Sequence, residues 1–271
     1  GDTDMKNFMR YESVAELSDA LRNAEPLQVW KDSCERVRKN MSDGECRSFA
    51  GCTFDEAFEL LDKGDAKRAA MIKAEGEILN EAQGGTMPKI EVGVYGCIPS
   101  VPNYLRGVPT NMMRVIREPR RNPIIDVYVD TGISYSTKLK DAAVATAKIA
   151  NVITAVEMSG VRVNLYAVFG TKRGSDAAGF AVKIKEANSP LNLLNIAFPM
   201  TNSAFCRVVS LHWQECNSDK VWGGHGNLMS AKTIADTFGL EGLTLSVKET
   251  IDYKTSIENI AKKFNEYIKT K

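Results

Sequence analysis

The chain is short of net charge, of histidine and of paired cysteines, and each shortage excludes something. Its 35 Lys and Arg nearly cancel 34 Asp and Glu, leaving a formal charge of +1. No global field therefore draws it to nucleic acid or membrane, and such binding would need a local patch. Only His212 and His225 occur, too few for a His-based metal triad, and each is expected to be structural. The six cysteines are scattered without a C-x-x-C pair, which argues against zinc and for free thiols in a reducing cytosol. The longest apolar run, "DAAVATAKIANVITAVEM", is broken by Lys148 and Asn151 and is too interrupted to span a bilayer. The N-terminal residues show no basic-then-apolar signal pattern. No G-x-S-x-G elbow, internal repeat or low-complexity tract is present.

What is there is an ordinary globular composition, 44% hydrophobic and 25% charged, with ample length for a core. Residues 1–88 read as a helical N-terminal region. "SVAE" (Ser13 to Glu16) and "TFDE" (Thr53 to Glu56) are capping-box patterns, and Gly64 stands where a helix stop belongs. "AQGGTMP" (82–88) reads as a linker. Residues 89–123 form a Pro/Gly/Arg-rich connecting segment, expected to pack on the core with short strands or turns and no long element.

From 124 to 271 the pattern is strand and helix in alternation. "IIDVYVD" and "VRVNLYAVF" (161–169) read as strands on either side of a long helix from about Thr137 to Met158. "LNLLNIAF" (191–198) reads as a helix, "FCRVVSLHW" (205–213) as a strand and "MSAKTIADTF" (229–238) as a helix stopped by Gly239. "LTLSVKE" (243–249) reads as a strand, and a last helix opens with a Thr255/Glu258 capping box. The expected fold is α/β: a three-layer, mainly parallel sheet flanked by helices.

The most informative stretch is "DVYVDTGISYS" (126–136). Asp-Thr-Gly opens the catalytic loop of aspartic proteases, but there two such loops must bring two carboxylates together to share a proton. This chain has one, and it feeds a helix of roughly six turns rather than a strand. Strand, loop and long helix in that order resemble a von Willebrand factor A (VWA) domain over residues 124–271, with its Asp-x-Ser-x-Ser metal-ion-dependent adhesion site. The resemblance implies Mg²⁺ or Mn²⁺ held by hard oxygen ligands, with Asp130 as the first ligand and Ser134 as the last serine. Gly132 occupies the middle serine's place, and Ser136 falls beyond the pattern, where it would start or cap the helix. Thr171 or Ser189 would stand for the family's threonine. The later aspartate is missing, with only Glu215 or Asp219 nearby, so the implied site is degenerate and the chain is expected to hold no cofactor unless that residual set binds one. The other reading of Asp130 is a helix cap, or an acceptor for backbone N–H groups at a strand end.

"FAGCTFDEAFELLDKGD" and "GCIPSVPNYLRGVPTNMM" together are similar to an uncharacterised family of bacteriophage proteins with a VWA-like region. That resemblance implies a phage protein made in the host bacterial cytoplasm, with a phage or host protein as partner and no membrane. A second candidate site is the basic cluster Arg106, Arg114, Arg117, Arg120 and Arg121, with Tyr104 just before it and Lys138 and Lys140 just past the metal-like loop. Arginines and an aromatic in that arrangement can hold phosphates and stack on bases of a single strand; otherwise they form a solvated loop paired with acidic residues. "VWGGHGN" (221–227) lacks the order of a phosphate loop and reads as a turn. Cys206 reads as core, and Trp213 and Trp222 as core edge. The expectation is a non-enzymatic interaction module acting through loops at the carboxyl edge of the sheet. The alternative is a single-stranded nucleic-acid accessory factor in phage transcription or replication; a metal-dependent enzyme comes last.

Overall fold

The branched run "IIDVYVD" forms a strand buried along most of its length, and the molecule's main sheet is built outward from it. The computed structural model describes residues 8–33, 37–83, 90–93, 98–99, 101–110, 112–115, 123–220 and 224–270. The chain divides into two compact units, one made of residues up to 78 together with 123–271, the other of residues 79–122.

In chain order the first unit begins with β1 (Phe8–Tyr11), α1 (Val14–Arg22), α2 (Gln28–Ser33), α3 (Asp43–Ala50), α4 (Phe54–Lys63) and α5 (Ala66–Gln83), whose last residues belong to the second unit. The second unit holds β2 (Ile90–Gly93), β3 (Ile98–Pro99), α6 (Val101–Leu105) and β4 (Met112–Val115). Its three strands form an antiparallel sheet in the order β2-β4-β3. The first unit then resumes with β5 (Ile124–Asp130), α7 (Leu139–Met158), β6 (Arg162–Arg173), β7 (Asp176–Lys185) and α8 (Leu193–Thr201). A π-helical segment (Phe205–Ser210) runs into α9 (Leu211–Asn217). After it come β8 (Asn227–Leu228), α10 (Ala231–Phe238), β9 (Leu243–Ser246), α11 (Val247–Asp252) and α12 (Ile257–Lys269).

The main sheet has six strands in the order β1-β7-β6-β5-β9, with β8 pairing the end of β6 beyond β5. It is mixed rather than mainly parallel. β5 runs parallel to β6 and β9, and β1 parallel to β7, but β6 and β7 form an antiparallel hairpin and β8 is antiparallel to β6. Helices flank it. One face buries Val127, Val129, Leu165, Ala167, Phe169, Phe180 and Val182 against α1, α4, α7, α8 and α12. The other holds a smaller cluster of Tyr128, Tyr166, Val168, Met229 and Ile234 beneath α10.

Several expectations need correcting. The N-terminal region is not purely helical, because β1 joins the sheet. The unit of residues 79–122 starts inside α5 rather than at 89, and most of the "AQGGTMP" linker lies outside the described residues. Sequence pattern assigns no element to 176–185, yet β7 sits between two strands there. Its alanines and Gly179 have low strand propensity, and glycine is required because a Cβ at 179 would overlap the Phe169 carbonyl across the hairpin.

"FCRVVSLHW" is helical, not a strand. Nearly all of its side chains are buried, and for a short apolar run buried all round, periodicity cannot separate strand from helix. Trp213 packs 5.2 Å from the Phe180 ring and donates from Nε1 to the Tyr11 hydroxyl at 2.9 Å, which joins the segment to the sheet. "LTLSVKE" is a strand only to Ser246, whose hydroxyl accepts from Glu249 N and so starts α11. The last helix is capped by Ser256, which accepts from Asn259 N, not by Thr255. α7 starts at Lys138 with no side-chain cap, so Ser136 does not cap it. The Thr53/Glu56 box is present in full, whereas in "SVAE" Ser13 caps α1 but Glu16 reaches back to Glu12 N. Gly64 and Gly239 end α4 and α10, the latter in the left-handed region at φ 66.

Candidate site at the carboxyl edge of the sheet

In an open α/β sheet the strand ends leave a crevice where loops converge and ligands bind. Here β5 ends at Asp130, β9 at Ser246, and β6 passes Thr171 near its end. The β5–α7 loop is pinned at its start: Thr131 donates to the Val168 carbonyl from both N and Oγ1, at 3.3 and 3.2 Å. Further on, Ser134 Oγ and Ser136 Oγ lie 2.9 Å apart, and Ser134 Oγ also accepts from Ser136 N at 3.3 Å.

Asp130 is buried, and its Oδ2 accepts from Ala231 N, the first residue of α10, at 3.4 Å. Its Oδ1 has no partner among the described residues. Burial pushes the carboxyl up to about 6, outweighing hydrogen bonds from Ser246 and Ala231; Glu249 raises it further and Lys248 pulls it down. The strand-end acceptor reading of Asp130 thus describes its observed contact, although Ser230, not Asp130, is the cap of α10.

The three residues expected as metal ligands are divided between two clefts. Asp130 lines one of about 300 Å³ with Ser246, Glu249 and Tyr253. Ser134 and Thr171 line another of about 350 Å³, with Arg207, His225 and Leu211. Strand alternation explains the division. Asp130 pairs in register with Val168, so Thr171, three residues along β6, projects from the opposite face. Gly132, Leu228 and Lys248 form the ridge between the clefts. One carboxylate, hydroxyls across the sheet and a lysine on the dividing ridge do not fit the octahedral oxygen cage that Mg²⁺ or Mn²⁺ demands. Among the described residues, no three His, Cys, Asp or Glu converge as a metal group either. Adding either ion at millimolar concentration is therefore expected to leave the melting temperature unchanged, since specific binding to the native state would raise it.

Ser189 is not at this edge; it lines a separate cleft with Glu12 and Lys183, beyond the end of antiparallel β7. Asp219 is exposed. Glu215 is fully buried in a polar network. It accepts from Arg38 N at 2.8 Å, from Arg38 Nε at 3.3 Å and from His225 Nε2 at 2.9 Å. Burial opposes its charge, but contacts from His212, His225 and Arg38 outweigh it and hold the carboxyl down at about 2.

His225 also stacks on Trp30 with ring centroids 4.8 Å apart, so it is both a packing residue and a wall of the Thr171 cleft. His212 is buried, 3.2 Å from the Leu21 carbonyl and edge-on to Phe54. Cys206 is core, its thiol pushed up to about 12 by burial. Cys46, Cys52, Cys206 and Cys216 are free; Cys34, Cys97 and Trp222 lie outside the described residues, or have side chains that do.

Of the basic cluster, Tyr104 and Arg106 are exposed on α6 and the turn after it. Arg114 is on β4 with its side chain undescribed, and Arg117, Arg120 and Arg121 lie outside the described residues. Lys138 is exposed and belongs to the other unit, and so does Lys140. Sequence reading missed Arg207, Ser246 and Lys248 as neighbours of the metal-like loop. The one available signal was Ser246-x-x-Glu249, a capping pattern closing a strand.

A family model described as a domain of unknown function, DUF7192, matches residues 3–266. The chain belongs to the DUF7192 family. The match takes in the N-terminal helices, the unit of residues 79–122 and the α/β body, so these parts of the DUF7192 chain belong to one family domain. No curated protein and no solved structure matches the chain. Among the described residues of this DUF7192 chain, no helix is long and apolar enough to cross a membrane.

Proposed function

We propose that this chain is a non-enzymatic interaction module that binds another protein through the loops at the carboxyl edge of its main sheet. One observation carries the reading. Tyr135, Leu228 and Tyr253, on three separate segments at this edge, are each half or more exposed; Leu228 borders both clefts and Tyr253 borders the Asp130 cleft. Large apolar side chains held in water around polar crevices mark a surface that becomes buried in a complex.

A three-layer, VWA-like arrangement of the body is supported by the strand–loop–long helix corner at β5 and α7, with β5 flanked by β6 and β9. A phage origin, a place in the host cytoplasm and a phage or host protein as partner rest on the sequence resemblance alone. The test is affinity capture from phage-infected host lysate, with and without nuclease. The expected result is a protein retained after nuclease and lost with Leu228→Asp or Tyr253→Asp. It should remain with Met158→Asp, an exposed residue at the far end of α7. Retention of nucleic acid alone would refute the module.

A second reading, single-stranded nucleic-acid binding by residues 104–121, is favoured by Tyr104 and Arg106, which stand exposed two residues apart. That spacing suits one base stacking beside one phosphate contact. It is lost if Arg117→Ala with Arg120→Ala changes neither oligonucleotide affinity nor its salt dependence.

A further inference from the structure

The cleft beside Thr171 has a charge pattern that the chain's own residues do not satisfy. Arg207, His225 and Lys248 line it, with Ser134 and Thr171 supplying hydroxyls, and no Asp or Glu among the described residues does so. Arg207 and Lys248 form no ion pair among the described residues. The Arg207 guanidinium spends one donor on the Phe49 carbonyl at 2.8 Å and lies over the rings of Phe49 and Tyr135, at 4.7 and 5.6 Å. These contacts hold it in place while leaving donors open, since a guanidinium carries five. His225 is fixed by Glu215 at 2.9 Å and by Trp30. Lys248 stands on the ridge shared with the Asp130 cleft, whose carboxylates Asp130, Glu249 and Asp252 line that other cleft and not this one.

The second, independent observation is the Thr171 hydroxyl. Thr171 is fully buried and belongs to the cleft wall, and its hydroxyl has no hydrogen-bond partner among the described residues. Buried polar groups are nearly always paired, and one left open in a cleft lined by Arg207 and Lys248 with no carboxylate in the lining points to an oxygen-bearing anion. The remaining lining is apolar, with Phe49, Leu211 and Leu228. It suits an anionic group on an apolar stem better than a free, strongly hydrated phosphate.

We infer that this cleft receives a carboxylate, on an acidic side chain or chain terminus, presented by the partner protein. Arg207 and Lys248 supply the charge, the Thr171 hydroxyl donates a hydrogen bond, and Phe49 and Leu228 cover the stem. The inference rests on the module reading and adds the chemistry of the partner.

The test uses the full chain, labelled for NMR at backbone amides and threonine methyls, and three probes: phenylacetate, its neutral isostere phenylacetamide, and inorganic phosphate. Phenylacetate should shift the Thr171 methyl and the Gly226 amide saturably, and bind at least about tenfold more tightly than the other two. Lys248→Gln, at an exposed position, should weaken it by about the same factor while the chain stays folded. Arg207→Lys should retain more affinity than Arg207→Gln. Equal binding of phenylacetate and phenylacetamide, tighter binding of phosphate, or no saturable shift at Thr171 would each overturn the assignment. A protein captured equally well by wild type and Lys248→Gln would overturn the carboxylate site and leave the module reading standing. Saturable phenylacetate binding without any captured protein would do the reverse.

Discussion

Glu215→Ala is expected to lower the unfolding free energy at pH 7 by about 3–5 kcal/mol, the usual loss when one partner of a buried ion pair is removed. The carboxylate is fully buried, and Arg38, whose side chain is only 11% exposed, faces it at 3.3 Å. Removing it strips the buried guanidinium and the Arg38 amide of this acceptor and His225 of its 2.9 Å contact. The same group makes stability depend on acid. Its carboxyl is held at about 2 against an ordinary 4.5, so the folded chain binds fewer protons than the unfolded one between those values. Its contribution is complete above the ordinary value and is lost as the pH falls through about 2, a difference worth roughly 3 kcal/mol. Urea denaturation of wild type and variant at pH 7 checks the first statement. A loss under about 1 kcal/mol would mean that the network around Glu215 contributes little.

Asp130→Asn should act in the opposite direction. The folded carboxyl sits at about 6 instead of 3.8, so the folded state holds more protons than the unfolded state between those values. Stability is then greatest below about 4, declines as the pH rises through 6, and stays reduced at neutral pH. Asparagine keeps an oxygen for Ala231 N and removes the buried charge. The expected gain at pH 7 is about 1–2 kcal/mol, below a ceiling of roughly 3 kcal/mol set by the full difference. Wild type should lose stability between pH 4 and 6 with a slope that the variant lacks. A variant less stable at pH 7 that keeps the wild-type slope would show that Asp130 is not the group responsible.

The parts of the fold that the sequence displayed were those with one dominant local cause. β5 and β6 are branched and apolar, and α7 is too long to be anything but a helix. α10 ends on a glycine that adopts the left-handed region. Where local preference and tertiary context disagreed, sequence reading failed. β7 is alanine-rich and exists because β1 and β6 flank it. Residues 205–213 look like a strand because burial on all sides erases the helical period.

The site shows the same division. Asp130, Ser134 and Thr171 were visible as polar residues at strand ends, but which face each occupies depends on the β5–β6 register, and that put Asp130 and Thr171 on opposite sides. Arg207, His225 and Lys248 come from three segments far apart in sequence and meet only through packing. No local pattern could have joined them.

The most direct measurement is amide hydrogen exchange on the chain, free and in complex with the protein it captures. Binding through the carboxyl edge predicts new protection over residues 131–138, 224–230 and 247–253, with the cleft of Glu12, Lys183 and Ser189 unchanged. Protection confined to that cleft, or to residues 101–107, would contradict the account.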